Sequence, residues 1–263
     1  HPFDQFIIAK TPAARWGTPE DLMQTKVTQP AVFLHSVISV MSQLETLDAQ
    51  AVAGHSLGEF SALTVAGALS FEDGLTLVSK RAAAMQQCCE MQQSAMAAVL
   101  GLDDAIIEKI CAESSSENSI VVAANYNCPG QIVISGSQDA VAKASKSLEE
   151  AGARRVVALA VSGAFHSPLM QPAQIELEKA IASVNFQNPI CPVFQNVDAK
   201  PHSDANEIKQ NLISQLTSPV RWTNTVQNML TFGIDQFVEA GPGNVLQGLI
   251  RKVDKKINVS HLS

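Results

Sequence analysis

The sequence has little positive charge and no pair of residues spaced to hold a metal. Its 18 lysines and arginines are outnumbered by 25 acidic residues, which gives a formal net charge of −7. Nucleic-acid-binding proteins usually present a basic surface, so this balance argues against a nucleic-acid partner. The five cysteines contain no C-x-x-C pair, and no H-E-x-x-H pair occurs. We therefore expect neither a disulfide framework nor a metal site.

Long apolar runs are also missing. No run reaches the ~20 residues that a membrane-spanning helix requires. Asp4 interrupts the first apolar stretch and no basic segment precedes it, which is unlike a secretory signal. We expect a cytoplasmic protein without membrane contact. A hydrophobic content of 46% and a charged content of 16% are typical of a globular chain, and this length suits one large domain or a domain with an insertion.

The most informative stretch is residues 51–60. A short apolar run ends at Gly54, and Ser56 follows between Gly54 and Gly58 in the pattern G-x-S-x-G, before a helical pattern. A strand that enters a helix through so tight a turn exposes the serine hydroxyl beside free helix N-terminal amides. The two glycines let neighbouring backbone pass close. A glycine-rich turn with a helix-capping serine would give the same pattern.

Residues 94–161 predict a small domain. Their apolar patterns give the order β-α-β-β-α-β, which is typical of a ferredoxin-like domain; the predicted elements are Met96–Leu100, Asp103–Cys111, Ile120–Ala124, Ile132–Ser135, Asp139–Glu150 and Val156–Val161. We predict that this domain is inserted into a larger one formed by residues 1–93 and 162–263.

The larger domain alternates strands with helices, which predicts a parallel α/β sheet. Sites in such sheets form at the carboxyl ends of strands, where Ser56 falls. Thr18 begins one predicted helix and Pro30 opens a longer one, which carries Leu44 on its apolar face. Ser70 begins a capping box, with a helix running towards Cys89.

The stretch 54–60 resembles the nucleophile motif of malonyl-CoA:acyl-carrier-protein transacylases and related acyltransferase domains. The resemblance spans about residue 18 to the C-terminus, and further matches follow in the family's order with nearly its spacing: Lys80-Arg81 with Met85-Gln86, residues 124–127 and 131–136, residues 163–167, Gln215-Leu216 with residues 219–222, and more weakly residues 239–243. It implies a large α/β-hydrolase-like domain with a parallel sheet and a nucleophile elbow.

The resemblance also implies catalytic roles. Ser56 is the implied nucleophile and His166 its base, while the backbone carbonyl of Gln215 accepts the imidazole N–H in place of a triad carboxylate. The identity of the Gln215 side chain hardly matters to such a backbone contact, and without the resemblance Gln215 would be read as an ordinary helix-terminal residue. The N–H of Leu57 is the implied oxyanion donor. A lone histidine beside phenylalanine would otherwise be read as a structural residue.

Substrate-binding roles follow from the same match. Arg81 matches the arginine that binds the malonyl carboxylate, and a planar guanidinium suits a bidentate grip. His55 matches a position that helps to hold the same group, although it could be a turn histidine. Phe165 fits the malonyl-type pattern and leaves little room for a 2-methyl branch. Asn125 and Asn127 are expected to line the thioester arm, or to be turn residues.

One departure concerns the start of the family, a strand followed by a Phe-Pro-Gly-Gln-Gly-Ser-type loop whose glutamine N–H completes the oxyanion hole. Residues 1–17 contain no such stretch. We expect the family's first strand to be missing from the sequence given, in preference to a rebuilt region.

The implied activity is transfer of the malonyl group from malonyl-CoA to the acyl carrier protein for fatty acid synthesis, by a monomer without cofactor or metal. Three alternatives stay open. An acyltransferase domain of a polyketide synthase would use the same chemistry, and a serine thioesterase or hydrolase would release the acyl group to water. An inactive interaction domain would not need the residues above.

Overall fold

The computed structural model describes residues 24–43, 48–161 and 163–262. The helix predicted at Thr18, the segment 1–17 and Leu44 lie outside the described residues. In chain order the described helices and strands are α1 (Thr25–Met41), β1 (Val52–Ala53), α2 (Gly58–Val65), α3 (Phe71–Met91), β2 (Ser94–Leu100), α4 (Asp104–Ser114), β3 (Val121–Cys128), β4 (Gln131–Ser137), α5 (Gln138–Glu150), β5 (Arg155–Ala158), α6 (Gln171–Ala182), β6 (Val193–Phe194), β7 (Pro201–His202), α7 (Ala205–Ser214), α8 (Trp222–Phe232), β8 (Gln236–Ala240), α9 (Val245–Val253) and β9 (Asn258–Leu262).

The sheet that carries the G-x-S-x-G turn is mixed. β1 pairs in parallel with β6, with Val52 opposite Val193, and β7 pairs antiparallel with β6. A separate parallel pair is formed by β8 and β9. The prediction of a parallel sheet therefore holds for β1–β6 and β8–β9, whereas β7 is an antiparallel strand that the sequence pattern did not indicate. Its two residues are too few for an apolar alternation to be visible.

Helices bury both sides of this region. The largest apolar cluster joins α1, α2, α3, α6 and α7 through fully buried side chains such as Phe33, Leu63 and Leu177. A second cluster packs α8 and α9 against β8 and β9, and includes Phe194 of β6. These two cores fix β1 and β6 side by side, so the chain segments that follow both strands meet at one edge.

The predicted β-α-β-β-α-β order of residues 94–161 is confirmed. Its four strands form one antiparallel sheet in the order β3-β4-β2-β5. The sheet and its helices enclose a core of their own that includes Val99, Ile107, Ile134 and Leu148. The sheet joins the rest of the protein near α8, where the N–H of Tyr126 donates to the carbonyl of Val220 over 2.8 Å.

The helix predicted to open at Pro30 begins earlier, at Thr25, so that prediction is wrong. The carbonyl of Gln24 accepts from the N–H groups of Val27 and Thr28 and forms a first turn ahead of the proline. Pro30 then removes only one internal hydrogen bond. The helix start at Ser70 is confirmed, because its hydroxyl accepts from the N–H of Asp73 over 3.0 Å; the Asp73 carboxylate accepts from the same hydroxyl, so the N-cap half of the capping box is present. Within the described part of the chain, no helix is long and apolar enough to cross a membrane.

Candidate active site

Ser56 lies in the turn between β1 and α2, with a φ of 53°. This left-handed conformation is uncommon for a residue with a side chain. Gly54 must be glycine, because a Cβ there would overlap the backbone of Gly58. A Cβ added at Gly58 would meet no atom within 4 Å. Close backbone approach therefore explains the first glycine of the pattern and not the second, contrary to the expectation for both.

The hydroxyl of Ser56 meets His166, which follows the small sheet along the chain. The distance between Ser56 Oγ and His166 Nε2 is 2.7 Å, and His166 Nδ1 lies 3.0 Å from the carbonyl oxygen of Gln215. Because a carbonyl only accepts, Nδ1 carries the proton and Nε2 is free to accept the serine hydroxyl. This chain of contacts is the arrangement that activates a serine nucleophile.

His166 is 3% exposed. Burial, followed by the nearby charge of Arg81, lowers the pKa of His166 to about 3. The imidazole is therefore neutral near pH 7 and can act as a base without first losing a proton.

Arg81 reaches the same point from the middle of α3. Its guanidinium donates to Ser56 Oγ over 2.9 Å, to Gln29 Oε1 over 2.5 Å and to Gln215 Oε1 over 3.2 Å. The side chain is 1% exposed, and its Nε has no partner among the described residues. Burial lowers the pKa of Arg81 to about 10, with Glu59 opposing the shift, so the group stays cationic at neutral pH. A buried cation with an unused donor beside a nucleophile suits an anionic substrate group.

Gln215 contributes more than its backbone. Besides accepting from Arg81, its side-chain Nε2 donates to the carbonyl of Ser56 over 3.0 Å. The contact with His166 uses only the backbone of Gln215, but the side-chain amide also links the cation to residues 54–58, the turn that carries the candidate nucleophile (the nucleophile turn). The resemblance assigned a role only to the backbone carbonyl of Gln215, so this side-chain contact was not expected.

His55 and Asn127 form a second contact at the site. His55 Nε2 lies 2.9 Å from Asn127 Oδ1, and the imidazole ring lies 5.7 Å from the ring of Trp222. Burial lowers the pKa of His55, so the neutral ring donates its Nε2 proton to the asparagine oxygen. Asn125 is buried on β3 and pairs with Val220, where the small sheet meets α8.

The remaining predicted residues surround the nucleophile. Phe165 is half-buried beside His166, and a Cβ on Gly163 would contact its ring. The N–H groups of Gly58 and Glu59 donate to His55 and Ser56 carbonyls, whereas the N–H of Leu57 donates to no described residue. Leu57 can therefore serve an oxyanion. The family loop expected to give the second donor has no matching stretch in residues 1–17, which lie outside the described residues.

Three polar residues at the site were missed or undervalued. Gln29 holds Arg81 from α1, and Asn196 follows β6 and bonds the nucleophile turn. Glu59, to which the sequence analysis gave no role, is fully buried and accepts from Gln195 and Asn196. A Gln-Asn pair directly after an apolar strand was the available signal. Within residues 24–43, 48–161 and 163–262, no group of three side chains could hold a metal ion.

Comparison with known proteins agrees with this geometry. Residues 7–262 match the family described as acyl transferase domain. A malonyl CoA-acyl carrier protein transacylase of Staphylococcus aureus (strain COL) is 40% identical over 241 residues, which cover 92% of this chain and 78% of the relative. These matches confirm the resemblance read from the motifs.

Solved structures match equally well. An acyl carrier protein S-malonyltransferase from Vibrio cholerae O1 superposes with a TM-score of 0.90 at 42% identity, covering 94% of this chain and 81% of that one. A type II PKS malonyl-transacylase in complex with its acyl-carrier protein gives a TM-score of 0.88 at 38% identity, covering 93% and 79%. The α/β fold with mixed sheets is thus confirmed, and the chain belongs to the acyl transferase domain family.

Proposed function

We propose that this protein is an acyltransferase that moves the malonyl group from malonyl-CoA to the phosphopantetheine thiol of an acyl carrier protein, and so supplies fatty acid synthesis. The observation that carries the proposal is the contact of Ser56 Oγ with both a neutral base and a buried cation. His166 Nε2 lies 2.7 Å from that oxygen and Arg81 donates to it over 2.9 Å. The transacylase and malonyltransferase relatives support the same acyl group and acceptor.

The first half of the reaction acylates Ser56. His166 Nε2 takes the hydroxyl proton as Oγ attacks the thioester carbonyl of malonyl-CoA. The carbonyl–sulfur bond then breaks, and the imidazolium returns its proton to the departing coenzyme A thiolate. The carbonyl of Gln215 holds Nδ1–H and orients the ring throughout. It carries no full charge and stabilises the imidazolium less than a carboxylate would, and a thiolate, as a good leaving group, demands less of the base.

The oxyanion of this step develops next to the N-terminus of α2. The unpaired N–H of Leu57 is the donor that the described residues offer, and a backbone amide in this position stabilises the negative charge as it forms.

The second half transfers the malonyl group. The carrier's thiol gives its proton to His166, and the thiolate attacks the malonyl-serine ester. The ester bond breaks, and Ser56 Oγ recovers the proton from the imidazolium. The base and the oxyanion donor thus serve both halves, and no metal or cofactor takes part in either.

Arg81 pairs with the malonyl carboxylate in this proposal. Its unpaired Nε and its hydrogen bond to Ser56 Oγ support a salt bridge with the carboxylate, which would orient the acyl group over the nucleophile. His55 and Asn127, already joined by a hydrogen bond, border the acyl group, and Asn125 lines the thioester arm beside them. The ring of Phe165 beside the base disfavours a 2-methyl branch.

We also propose the domain division behind this site. The separate core and the strand order β3-β4-β2-β5 support a ferredoxin-like domain at residues 94–161, inserted in an α/β-hydrolase-like domain of residues 1–93 and 162–263. The five cysteines are all unpaired thiols, which suits the reducing cytoplasm as the place of work.

A polyketide pathway is the second candidate, because one matching structure is a type II PKS malonyl-transacylase with its carrier protein. The chemistry is identical in both pathways. Transfer rates to carrier proteins of the two kinds separate them, since the physiological carrier should react faster at limiting concentration.

Intact-mass measurement tests the function directly. After mixing with malonyl-CoA, the native protein should gain one malonyl group, and Ser56→Ala should gain none. His166→Ala should load more slowly by orders of magnitude, since the base is lost. The loaded enzyme should lose its acyl group rapidly with an acceptor thiol and slowly in water. Equally fast decay without acceptor would identify a hydrolase, and loading of Ser56→Ala would remove Ser56 from the mechanism.

A further inference from the structure

The turn at Ser56 needs support from outside its own segment. Ser56 has a φ of 53°, which a residue with a side chain adopts only when its surroundings enforce it. Strand β1 before the turn has two residues, and helix α2 after it begins at Gly58. The contacts that hold this conformation must therefore come from another part of the chain.

Asn196 supplies two of them with one side chain. Its Nδ2 donates to the carbonyl of Gly54 over 2.6 Å, and its Oδ1 accepts from the N–H of Ser56 over 2.6 Å. Both amide atoms are used, so the side chain bridges the two ends of the turn. Asn196 is fully buried, so its side chain is shielded from solvent.

Glu59 fixes Asn196 in turn. The carboxylate of this fully buried residue accepts from the backbone N–H of Asn196 over 2.8 Å and from Gln195 Nε2 over 3.0 Å. Glu59 stands in the first turn of α2, whereas Gln195 and Asn196 follow β6. The carboxylate thus ties the helix that follows the nucleophile to the strand that neighbours β1.

The same hydrogen bonds determine which backbone N–H of the turn has no acceptor among the described residues. The N–H of Ser56 is bound to Asn196, and those of Gly58 and Glu59 are bound to carbonyls in the turn. The N–H of Leu57 alone among these four donates to no described residue. Occupying the Ser56 amide therefore keeps the turn from rotating towards a conformation that would redirect the Leu57 amide.

We propose that Asn196, anchored by Glu59, is a positioning residue for acyl transfer: it holds Ser56 in the left-handed conformation that presents Oγ to His166 and the Leu57 N–H to the oxyanion. The inference rests on the proposed function, because it concerns the acylation of Ser56. Asn196 acts through the turn and does not touch the substrate.

Single-turnover acylation of Asn196→Ala by malonyl-CoA tests the inference, with intact mass giving both the rate constant and the final loaded fraction. The rate constant should fall about 100-fold, the scale on which a small misplacement of a reacting group acts. The loaded fraction and the malonyl-CoA concentration for half-maximal rate should stay near native, because Arg81 lies on α3. A native rate constant, or a loss confined to the loaded fraction, would show a merely structural role and overturn the proposal.

Asn228→Ala is the matched control. Asn228 is an exposed asparagine whose Nδ2 donates to the buried carbonyl of Ala199 over 2.9 Å, so its removal also deletes one amide–carbonyl bond but leaves the nucleophile turn intact. Its rate constant should be native. A fall equal to that of Asn196→Ala would mean that any lost amide in this region has the same effect, which would refute positioning.

If Asn196→Ala does not fold, Asn196→Asp decides the question. The aspartate keeps the oxygen that accepts from Ser56, but it replaces the donor to Gly54 with a second carboxylate oxygen facing that carbonyl and adds a charge near Glu59. Loading should therefore slow by at least about 10-fold. A native rate would overturn the two-bond bridge. A serine-directed fluorophosphonate separates a failure of the positioning role of Asn196 from a failure of the proposed function. It reports the reactivity of Ser56 even if malonyl-CoA does not load the native protein.

Discussion

Arg81 is a buried cation whose hydrogen-bond partners are all neutral. Gln29, Ser56 and Gln215 accept from its terminal nitrogens, and its Nε has no partner in the described part of the chain. Glu59 acts on it only through space and opposes the lowering of the pKa of Arg81. Burying a charge without a direct counter-ion is costly, so the site is built to be completed by an anionic ligand.

We expect Arg81→Ala to lose malonyl transfer by about 2–5 kcal/mol in kcat/KM, the cost of truncating one partner of a buried charge pair. Acetyl transfer should change little, because an acetyl group has no carboxylate to leave unpaired. The preference for malonyl-CoA over acetyl-CoA should therefore narrow or invert. Steady-state kinetics with both thioesters measures this.

Arg81→Lys serves as the control. An ammonium restores the charge but not the planar fork, so malonyl transfer should recover only in part. An equal fall for malonyl and acetyl in Arg81→Ala would mean that the arginine holds the fold or coenzyme A, and not the acyl carboxylate.

The protonation of His166 gives a pH prediction. Burial and Arg81 lower the pKa of His166 to about 3, so the neutral base persists well below the ordinary histidine range. Between pH 7 and pH 5 the single-turnover rate of loading should fall less than about 3-fold, whereas a base with the ordinary value of about 6.5 would lose roughly 25-fold. A rate that halves near pH 6.5 would contradict the buried, neutral base.

The lowered pKa of His166 also makes the folded protein less stable at acidic pH. Below about pH 6.5 the unfolded chain takes up a proton on this histidine, while the folded protein does not until about pH 3. The unfolded state binds more protons in this window, so stability is lost as the pH falls through it, by about 1.5 kcal/mol from pH 6.5 to pH 5. His166 has a φ of 58°, a conformation that asparagine tolerates, so His166→Asn should fold and should lack that loss in denaturant titrations. An equal loss in the variant would assign it to other groups.

At the scale of elements, the two glycines of the G-x-S-x-G turn have different tasks. A Cβ on Gly54 would overlap the backbone of Gly58, whereas a Cβ on Gly58 has open space. Gly54→Ala should therefore open the turn, with a loss of about 1–3 kcal/mol or more in stability and the loss of acylation. Gly58→Ala should fold normally and gain up to about 1 kcal/mol, because alanine favours a helix.

Thermal or denaturant unfolding of the two glycine variants, followed by malonyl loading, makes the comparison. The pair differs only in position, so each variant is the control for the other. Similar losses for both substitutions would mean that the turn is sensitive to any side chain, and that backbone approach at Gly54 is not the cause.

Most helices and strands were predicted, because short sequence patterns specify them. The capping box at Ser70 and the apolar alternation of residues 94–161 specify hydrogen bonds within a few residues of each other. Strand β7 and the early start of α1 were not predicted, because neither produces a clear pattern in the sequence. The first has only two residues, and the second overrides Pro30 with bonds from Gln24.

The site divides in the same way. Ser56 stands in a short-range pattern, whereas His166 and Gln215 could be assigned only through the family resemblance. Asn196 and Glu59 were beyond either argument, because their contact depends on β6 pairing with β1 across 141 residues of chain (Val52 with Val193). A single sequence does not reveal a pairing of that range.

At the scale of the whole molecule, the charge of the protein bears on how it binds its carrier protein, which we predict to be acidic. The net charge is −7, yet basic residues gather at one end of the small sheet. Lys252, near the end of α9, donates to Gln131 Oε1 over 3.1 Å. Gln131 and Arg155 both pair with Leu100 from opposite sides of β2, so their backbones are roughly two strand spacings, or ~10 Å, apart. Exposed Lys255 and Lys256 follow α9, and Lys252, Arg155, Lys255 and Lys256 are referred to here as the basic patch.

We predict that this patch docks the carrier protein. Lys255→Glu/Lys256→Glu should slow malonyl transfer to the carrier about 10-fold at low ionic strength, the lower end of electrostatic steering, and the difference should vanish in high salt. Lys179→Glu/Lys200→Glu changes the net charge equally at exposed positions on other elements and should transfer normally. Pantetheine, a neutral acceptor thiol, should react equally with all three proteins, which separates docking from chemistry. If transfer to the carrier shows no salt dependence and neither double variant differs from native, the carrier docks elsewhere. The lysines are then solvent-exposed residues at the end of α9 with no part in docking.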